Sequence, residues 1–239
     1  MKRTRLIMGI LSLLLISFLS VQVNAAPYII DDLKDGATSY WGNNSHGYGD
    51  VIGYPDFEIT NMTVTQSGSQ LTVRVNALTG GYFYKYNNSI NLPFSYPPGD
   101  LIIDSQGWTV TGNDAHHAND TFSMSEGWNY VVSFADKKVY ALTGFVPTSA
   151  SSGIWREGQA WKGVYGNNIS AATVTLTDIY LEFAFDTSAL NLQDGFGLHW
   201  AMKCGNDTIE GGVPVPEPAT LLLLGLGLAG LGVSRKFKK

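Results

Sequence analysis

The chain has 239 residues, a formal net charge of -5, 44% hydrophobic and 12% aromatic residues, and one cysteine, Cys204. A single cysteine excludes an internal disulfide, so stability must come from packing, and a chain of this length can bury one sizeable core. Seven of the basic residues sit in the first five and last five positions, which leaves the body eight basic against nineteen acidic side chains; such a surface repels phosphate backbones and argues against a nucleic-acid partner.

At the N-terminal end, Lys2, Arg3 and Arg5 precede an apolar run from Leu6 to Leu19, and Val23-Asn24-Ala25 offers small residues where a signal peptidase reads. Residues 1–25 are therefore expected to be a signal peptide cleaved after Ala25; an uncleaved N-terminal anchor is the alternative. Next come Tyr40-Trp41-Gly42 and the run Gly47-Tyr48-Gly49-Asp50-Val51-Ile52-Gly53. Glycines let a loop approach a ligand closely, and aromatic faces stack on sugar rings, so Trp41 and Tyr48 are candidate glycan contacts. The alternative is that both rings cap one end of the core.

From Phe57 onward the dominant period is two. Phe57, Ile59, Met62 and Val64 alternate with polar neighbours, Leu71, Val73 and Val75 repeat the pattern, and Gln66 to Gln70 between them reads as a hairpin loop. Further strands are expected at Leu101 to Ile103, Trp108 to Val110, Trp128 to Phe134, Val139 to Leu142, Val174 to Phe185 and Phe196 to Met202, with Thr143 to Gly153 an exposed loop. In the last two strands alternate residues face a core and the others solvent, and their mutual pairing is plausible. No convincing amphipathic helix appears between Ala26 and Pro214. The pattern predicts an all-β ectodomain over residues 26–212, an antiparallel β-sandwich of the jelly-roll or lectin-like kind.

Chemistry-bearing motifs are sparse in this body. Calcium needs six to eight hard oxygens, and Asp50, Asp56 and Asp100 lie in Gly-rich or strand-end contexts that supply them, although no EF-hand spacing is present. They are the calcium candidates; otherwise no cofactor is expected. His116 and His117, with Asp114, Asn119 and Asp120 close by, would point to opposite faces on a strand and could share an ion only in a loop, and His46 and His199 have no partner at ligand spacing. Glu58 and Glu182 are the one carboxylate pair to weigh for glycoside hydrolysis, but there is no nucleophile elbow, zinc motif or phosphate loop. A non-enzymatic module is the expectation, with a secreted glycan-active enzyme of the glycoside-hydrolase kind as the alternative. The Asn-x-Ser/Thr sequences, Asn43 and Asn61 among them, suggest hydrated loops.

The C-terminal segment, residues 213–239, has three parts in order. Val215-Pro216-Glu217-Pro218 is followed by an apolar run from Ala219 to Val233 and by Ser234-Arg235-Lys236-Phe237-Lys238-Lys239. As a helix, roughly 15 residues reach about 22 Å, short of the ~30 Å hydrocarbon core, so a single transmembrane helix is marginal and leans on snorkelling basic side chains. The terminal cluster would lie on the cytoplasmic side. Prolines force an extended, stiff neck that suits a peptidase cleft; a plain tail anchor with a proline-rich neck fits the spacing equally well.

This order of Val-Pro-Glu-Pro, short apolar helix and basic cluster resembles the PEP-CTERM sorting signal, which exosortase is thought to process in Gram-negative bacteria that export exopolysaccharide. The resemblance implies that Pro216, Glu217 and Pro218 are the recognition element, substrate residues rather than catalytic ones. It implies an exported surface or matrix protein associated with exopolysaccharide or biofilm, with signal peptidase and an exosortase-type enzyme as processing partners and the membrane as a transient anchor. The string from His199 to Asp207, and the body from Asp50 to Asp104, also resemble PEP-CTERM ectodomains. Cys204 lies in that string as a buried strand residue or an exposed thiol.

Overall fold

The computed structural model describes residues 26–31, 57–77, 79–89, 97–108, 126–147, 161–192, 195–203, 205 and 207–214. The expected signal peptide, the Trp41 and Tyr48 region with Asp50 and Asp56, the His116-His117 pair, Cys204, and the segment from Val215 onward with Pro216, Glu217, Pro218 and its apolar run lie outside the described residues.

Ten strands carry the fold: β1 Tyr28–Asp31, β2 Ile59–Ser67, β3 Gln70–Ala77, β4 Leu101–Asp104, β5 Tyr130–Ser133, β6 Lys138–Pro147, β7 Trp161–Leu176, β8 Tyr180–Asp186, β9 Gly195–Ala201 and β10 Thr208–Pro214, with a six-residue helix α1, Tyr82–Asn87, after β3. They form one antiparallel sheet in the order β1-β2-β3-β8-β7-β6-β5-β4-β9-β10. The antiparallel all-β class is as the alternation indicates. The sheet is continuous because β7 is long enough to serve two ladders: Trp161 to Ala171 pairs with β6 and Ala172 to Leu176 with β8. A strand that passes from one ladder to the next makes a corner, and the sheet curls until β1 meets β10, nearly closed and barrel-like.

The hairpin β2-β3 turns at Gly68, where φ is 60° and the left-handed backbone suits glycine. Inward residues Met62, Val64, Leu71, Val73, Val75, Leu181, Phe183, Phe185, Leu101, Ile103, Val132, Phe196, Leu198 and Trp200 fill the interior. Helix α1 closes one end. Its Tyr82 and Phe83 are fully buried, Phe83 meets Trp200 edge-on at 5.9 Å, and Tyr86 meets Phe134 at 6.5 Å.

Several expectations are corrected. The strands ending in Phe185 and Met202 do not pair: β8 lies between β3 and β7, and β9 between β4 and β10. Val174 to Phe185 is two strands, broken where Thr177 Oγ1 accepts the Tyr180 N–H at 3.1 Å. Thr143 to Pro147 belongs to β6, with register shifts along the β6-β7 ribbon that absorb its irregular sequence. Strand β9 is buried on both faces, because residues 104–108 and 126–128 cover the side expected to meet solvent. Strand β10 runs through Pro214, opposite Gly195, and so extends past the expected domain limit at 212.

Candidate functional site

The covered outer face of β4, β5, β6, β9 and β10 holds most of the polar chemistry. On β9, Phe196, Leu198 and Trp200 point inward, so His199 points outward, directly opposite Glu210 of β10. His199 Nδ1 lies 3.0 Å from Glu210 Oε2, and the Trp108 indole N–H donates to Glu210 Oε1 at 2.5 Å. Trp108 fits there because Gly197 and Gly212 have no side chains; a Cβ at Gly212 would stand 3.2 Å from that of Trp108. Trp128 packs edge-on against the imidazole at 6.0 Å and donates its own indole N–H to Glu126 at 3.0 Å.

Burial lowers the His199 pKa to about 3, against an opposing pull from the Glu126 carboxylate. The ring is therefore neutral at physiological pH, and a carboxylate at Nδ1 places its proton on that nitrogen. Asp104, at the end of β4, is pushed up by burial, while the Gln106 N–H at 2.9 Å works the other way. Gly127 has φ of 105°, and a Cβ there would stand 2.5 Å from Asp104 Oδ2, so only glycine lets this turn close over the carboxyl.

Beside this cluster, Ile102, Trp128, Val131 and Leu142 make a second small core, with Trp108, Tyr140 and Tyr165 packed on it. Tyr140 and Tyr165 stack at 4.8 Å and 11°. Asp100 fixes the inner ring: its Oδ2 accepts the Tyr165 O–H at 2.5 Å and its Oδ1 the Phe134 N–H at 2.8 Å. Burial first, then the Asp100 charge, raises the Tyr165 pKa, so the phenol stays a donor. The half-buried outer ring, Tyr140, donates to Asp136 at 3.3 Å. What results is a stacked aromatic pair held between two carboxylates, Asp100 and Asp136.

Of the residues expected to carry function, the structure describes Asp100, whose two oxygens serve Tyr165 and Phe134; Trp41, Tyr48, Asp50, Asp56, Pro216, Glu217 and Pro218 lie outside the described residues. Among the described residues, no group of three or more His, Cys, Asp or Glu is placed to hold a metal. Glu182 is bound by Arg74 at 2.6 Å, and the guanidinium lies 4.1 Å above the Tyr180 ring, whereas Glu58 is buried beside the start of β2. His199, for which the sequence offers no partner at metal-ligand spacing, instead hydrogen-bonds Glu210, eleven residues on and brought opposite by the β9-β10 hairpin. The helix α1 is the sole described helix, and no described helix is long and apolar enough to cross a membrane.

Residues 214–236 match the family model of the PEP-CTERM protein-sorting motif. No curated protein and no solved structure matches the chain. The matched span begins at Pro214, the residue that ends β10, and includes Pro216, Glu217 and Pro218. The sorting motif thus follows the last strand of the barrel without a spacer, and the chain carries a PEP-CTERM protein-sorting motif at its C-terminal end, which supports export and sorting to the cell surface.

Proposed function

We propose that the barrel is a binding or structural module of the cell surface or extracellular matrix, associated with exopolysaccharide in a biofilm. The observation that carries this reading is the sorting motif joined directly to β10, which supports export of the domain and its sorting to the cell surface. Support for a glycan ligand comes from the Tyr140-Tyr165 stack beside Asp136 and Asp100, and from Trp41 and Tyr48 in the glycine-rich sequence. The acidic balance of the body favours a neutral or amine-bearing polymer over a polyanion.

On this reading the precursor is cut after Ala25 by signal peptidase, held briefly by the apolar run 219–233, and processed by an exosortase-type enzyme that reads Pro216, Glu217 and Pro218. The module acts by binding rather than catalysis: Asp100, Asp207, Glu182 and Glu210 all have carboxylate oxygens engaged by protein donors. It needs no cofactor, and calcium at Asp50, Asp56 and Asp100 would compete with the Tyr165 and Phe134 donors for the Asp100 oxygens. The test is retention of the purified chain on immobilised host exopolysaccharide, together with an assay for release of reducing ends. Retention without release is expected; release of reducing ends would overturn the binding reading in favour of a glycan-active enzyme.

A further inference from the structure

Each of the ten strands runs antiparallel to its neighbour. With an even number of strands, β1 and β10 also run in opposite directions where the sheet closes. Two contacts fix their alignment. Ile30 packs on Gly211, where a Cβ would stand 2.7 Å from Ile30 Cγ2, and Asp207, just before β10, accepts the Ile59 N–H at the start of β2. Asp31 pairs with Asn61, and Tyr28 with Val64. The Asp31 end of β1 therefore lies beside the start of β10, and Tyr28 beside Val213 and Pro214. The opposite end of the barrel is the one that α1 closes.

Both apolar runs of the sequence consequently join the barrel at one pole: Leu6 to Leu19 ahead of Tyr28, and Ala219 to Val233 after Pro214. Their outer flanks, Lys2, Arg3, Arg5 and the terminal cluster, are both basic, which assigns them to the same side of a membrane. Five peptide steps from Pro214 to Ala219 span at most about 18 Å even when fully extended. An anchored barrel must therefore keep this pole within about 18 Å of the hydrocarbon boundary, over a headgroup layer roughly 5–8 Å deep. On the half of the barrel toward this pole, opposite Val64 and Thr63 and three to four residues short of the end of β2 at Ser67, Tyr28 is 40% and Ile29 55% exposed, two of the few large apolar side chains open to solvent among the described residues.

We propose that Tyr28 and Ile29, on the barrel edge beside Pro214, form a membrane-docking surface that lays this pole on the lipid headgroup layer while the chain is anchored. The partner is the bilayer surface: tyrosine favours the interface, and an aliphatic neighbour enters the acyl boundary. Docking turns the α1 end away from the membrane and presents the motif at its surface. The proposal rests on the reading that the apolar run 219–233 enters the bilayer.

The test uses residues 26–239, the chain left after the cut behind Ala25, reconstituted in phosphatidylcholine vesicles, floated on a density gradient, then oxidised with hydroxyl radicals and read residue by residue by mass spectrometry. Ile179 serves as the internal reference; it is 46% exposed and lies in the turn at the far end of β8. The structure alone gives Ile29 and Ile179 comparable reactivity. Docking is expected to lower the Ile29 to Ile179 oxidation ratio at least threefold in the floated fraction, with Tyr28 following Ile29. A chain that floats with Ile29 as reactive as Ile179 overturns the docking surface and leaves anchoring intact. A chain that stays at the bottom of the gradient overturns both.

Discussion

Asp207 and Ile59 are 148 residues apart in sequence and joined by a 2.6 Å hydrogen bond, from the Ile59 N–H to Asp207 Oδ2. The other carboxylate oxygen accepts the Thr208 N–H at 2.8 Å. Asp207 and Ile59 are fully buried, and the contact lies past the end of β1, where β2 and β10 face each other directly. One carboxylate thus seals the part of the seam that the four-residue β1 is too short to cover. Replacing Asp207 with Ala removes the acceptor of two N–H groups, each loss costing about 1–3 kcal/mol. Asp207→Asn keeps one acceptor oxygen and is expected to lose less. Urea unfolding should rank the three proteins in that order; equal stability of Asp207→Ala and the parent would remove the seal from the account.

The other half of the seam depends on Ile30 and Gly211. A methyl at 211 meets Ile30 Cγ2 at 2.7 Å, so Gly211→Ala should destabilise by about 1–3 kcal/mol through overpacking. Ile30→Ala removes the atoms it would strike. The double variant is therefore expected to be more stable than the sum of the single effects by at least about 0.5 kcal/mol, the coupling of residues in contact. Gly99→Ala should be harsher and without such rescue, because its Cβ would stand 1.9 Å from the backbone oxygen of Ala201.

His199 predicts a pH dependence with a definite sign. Its pKa is lowered to about 3 in the fold, against about 6.5 in an unfolded chain. Between these values the unfolded state binds the extra proton, so stability is complete above about pH 6.5 and is lost as the pH falls towards 3. Asp104, whose pKa is raised, acts in the opposite sense near the lower end of the window. His199→Gln retains an amide donor for Glu210 but does not titrate. The variant is expected to be less stable than the parent at pH 7, with a shallower loss between pH 7 and pH 4.5, measured by urea unfolding at both. An unchanged slope would show that other groups set the acid limit.

The parts of the fold legible in the sequence are those where one face is dry and the other wet. In β2, β3 and β8 the period of two is unbroken, from Met62 and Val64 through Leu71, Val73 and Val75 to Leu181, Phe183 and Phe185. Strand β10, Thr-Ile-Glu-Gly-Gly-Val-Pro, hides its alternation because Gly211 and Gly212 make room for Ile30 and Trp108, contacts made by residues more than a hundred positions away. The first half of β7, rich in Gly and Asn, shows no alternation because its one ladder partner is β6 and its Tyr165 is held from outside that ladder by Asp100. Barrel closure is likewise a property of the seam and of β7's double pairing, which local pattern does not encode. The same reasoning explains the site: His199 and Glu210 become partners only through hairpin register, and Asp100 meets Tyr165 across 65 residues.

Processing gives a prediction independent of the barrel's stability. Pro216→Ala with Glu217→Ala alters the proposed recognition element just past the final strand, while Val213 and Pro214 keep their pairing with Phe196 and Gly195. In the native host this double variant should accumulate as a full-length, membrane-retained form, with the barrel's thermal midpoint unchanged. Normal maturation would show that the processing enzyme reads some other part of residues 214–236.

Glycan binding separates two aromatic sets. Trp41 and Tyr48 sit among glycines in the sequence, where a large ring has little regular structure to join, and Tyr140 is the outer ring of a stack whose inner member is fixed by Asp100. One stacking ring contributes on the order of 0.5–1.5 kcal/mol beyond its buried area, so a single site should bind at millimolar to micromolar strength and gain from repeated engagement along a polymer. Trp41→Ala is expected to reduce retention on host exopolysaccharide several-fold with little change in the thermal unfolding midpoint. Tyr140→Ala should also reduce retention, with a small drop in midpoint because the ring packs partly on Tyr165 and Leu142. If Trp41→Ala instead lowers the midpoint by many degrees, its ring belongs to the core, and the glycan surface must be sought on the Tyr140 face alone.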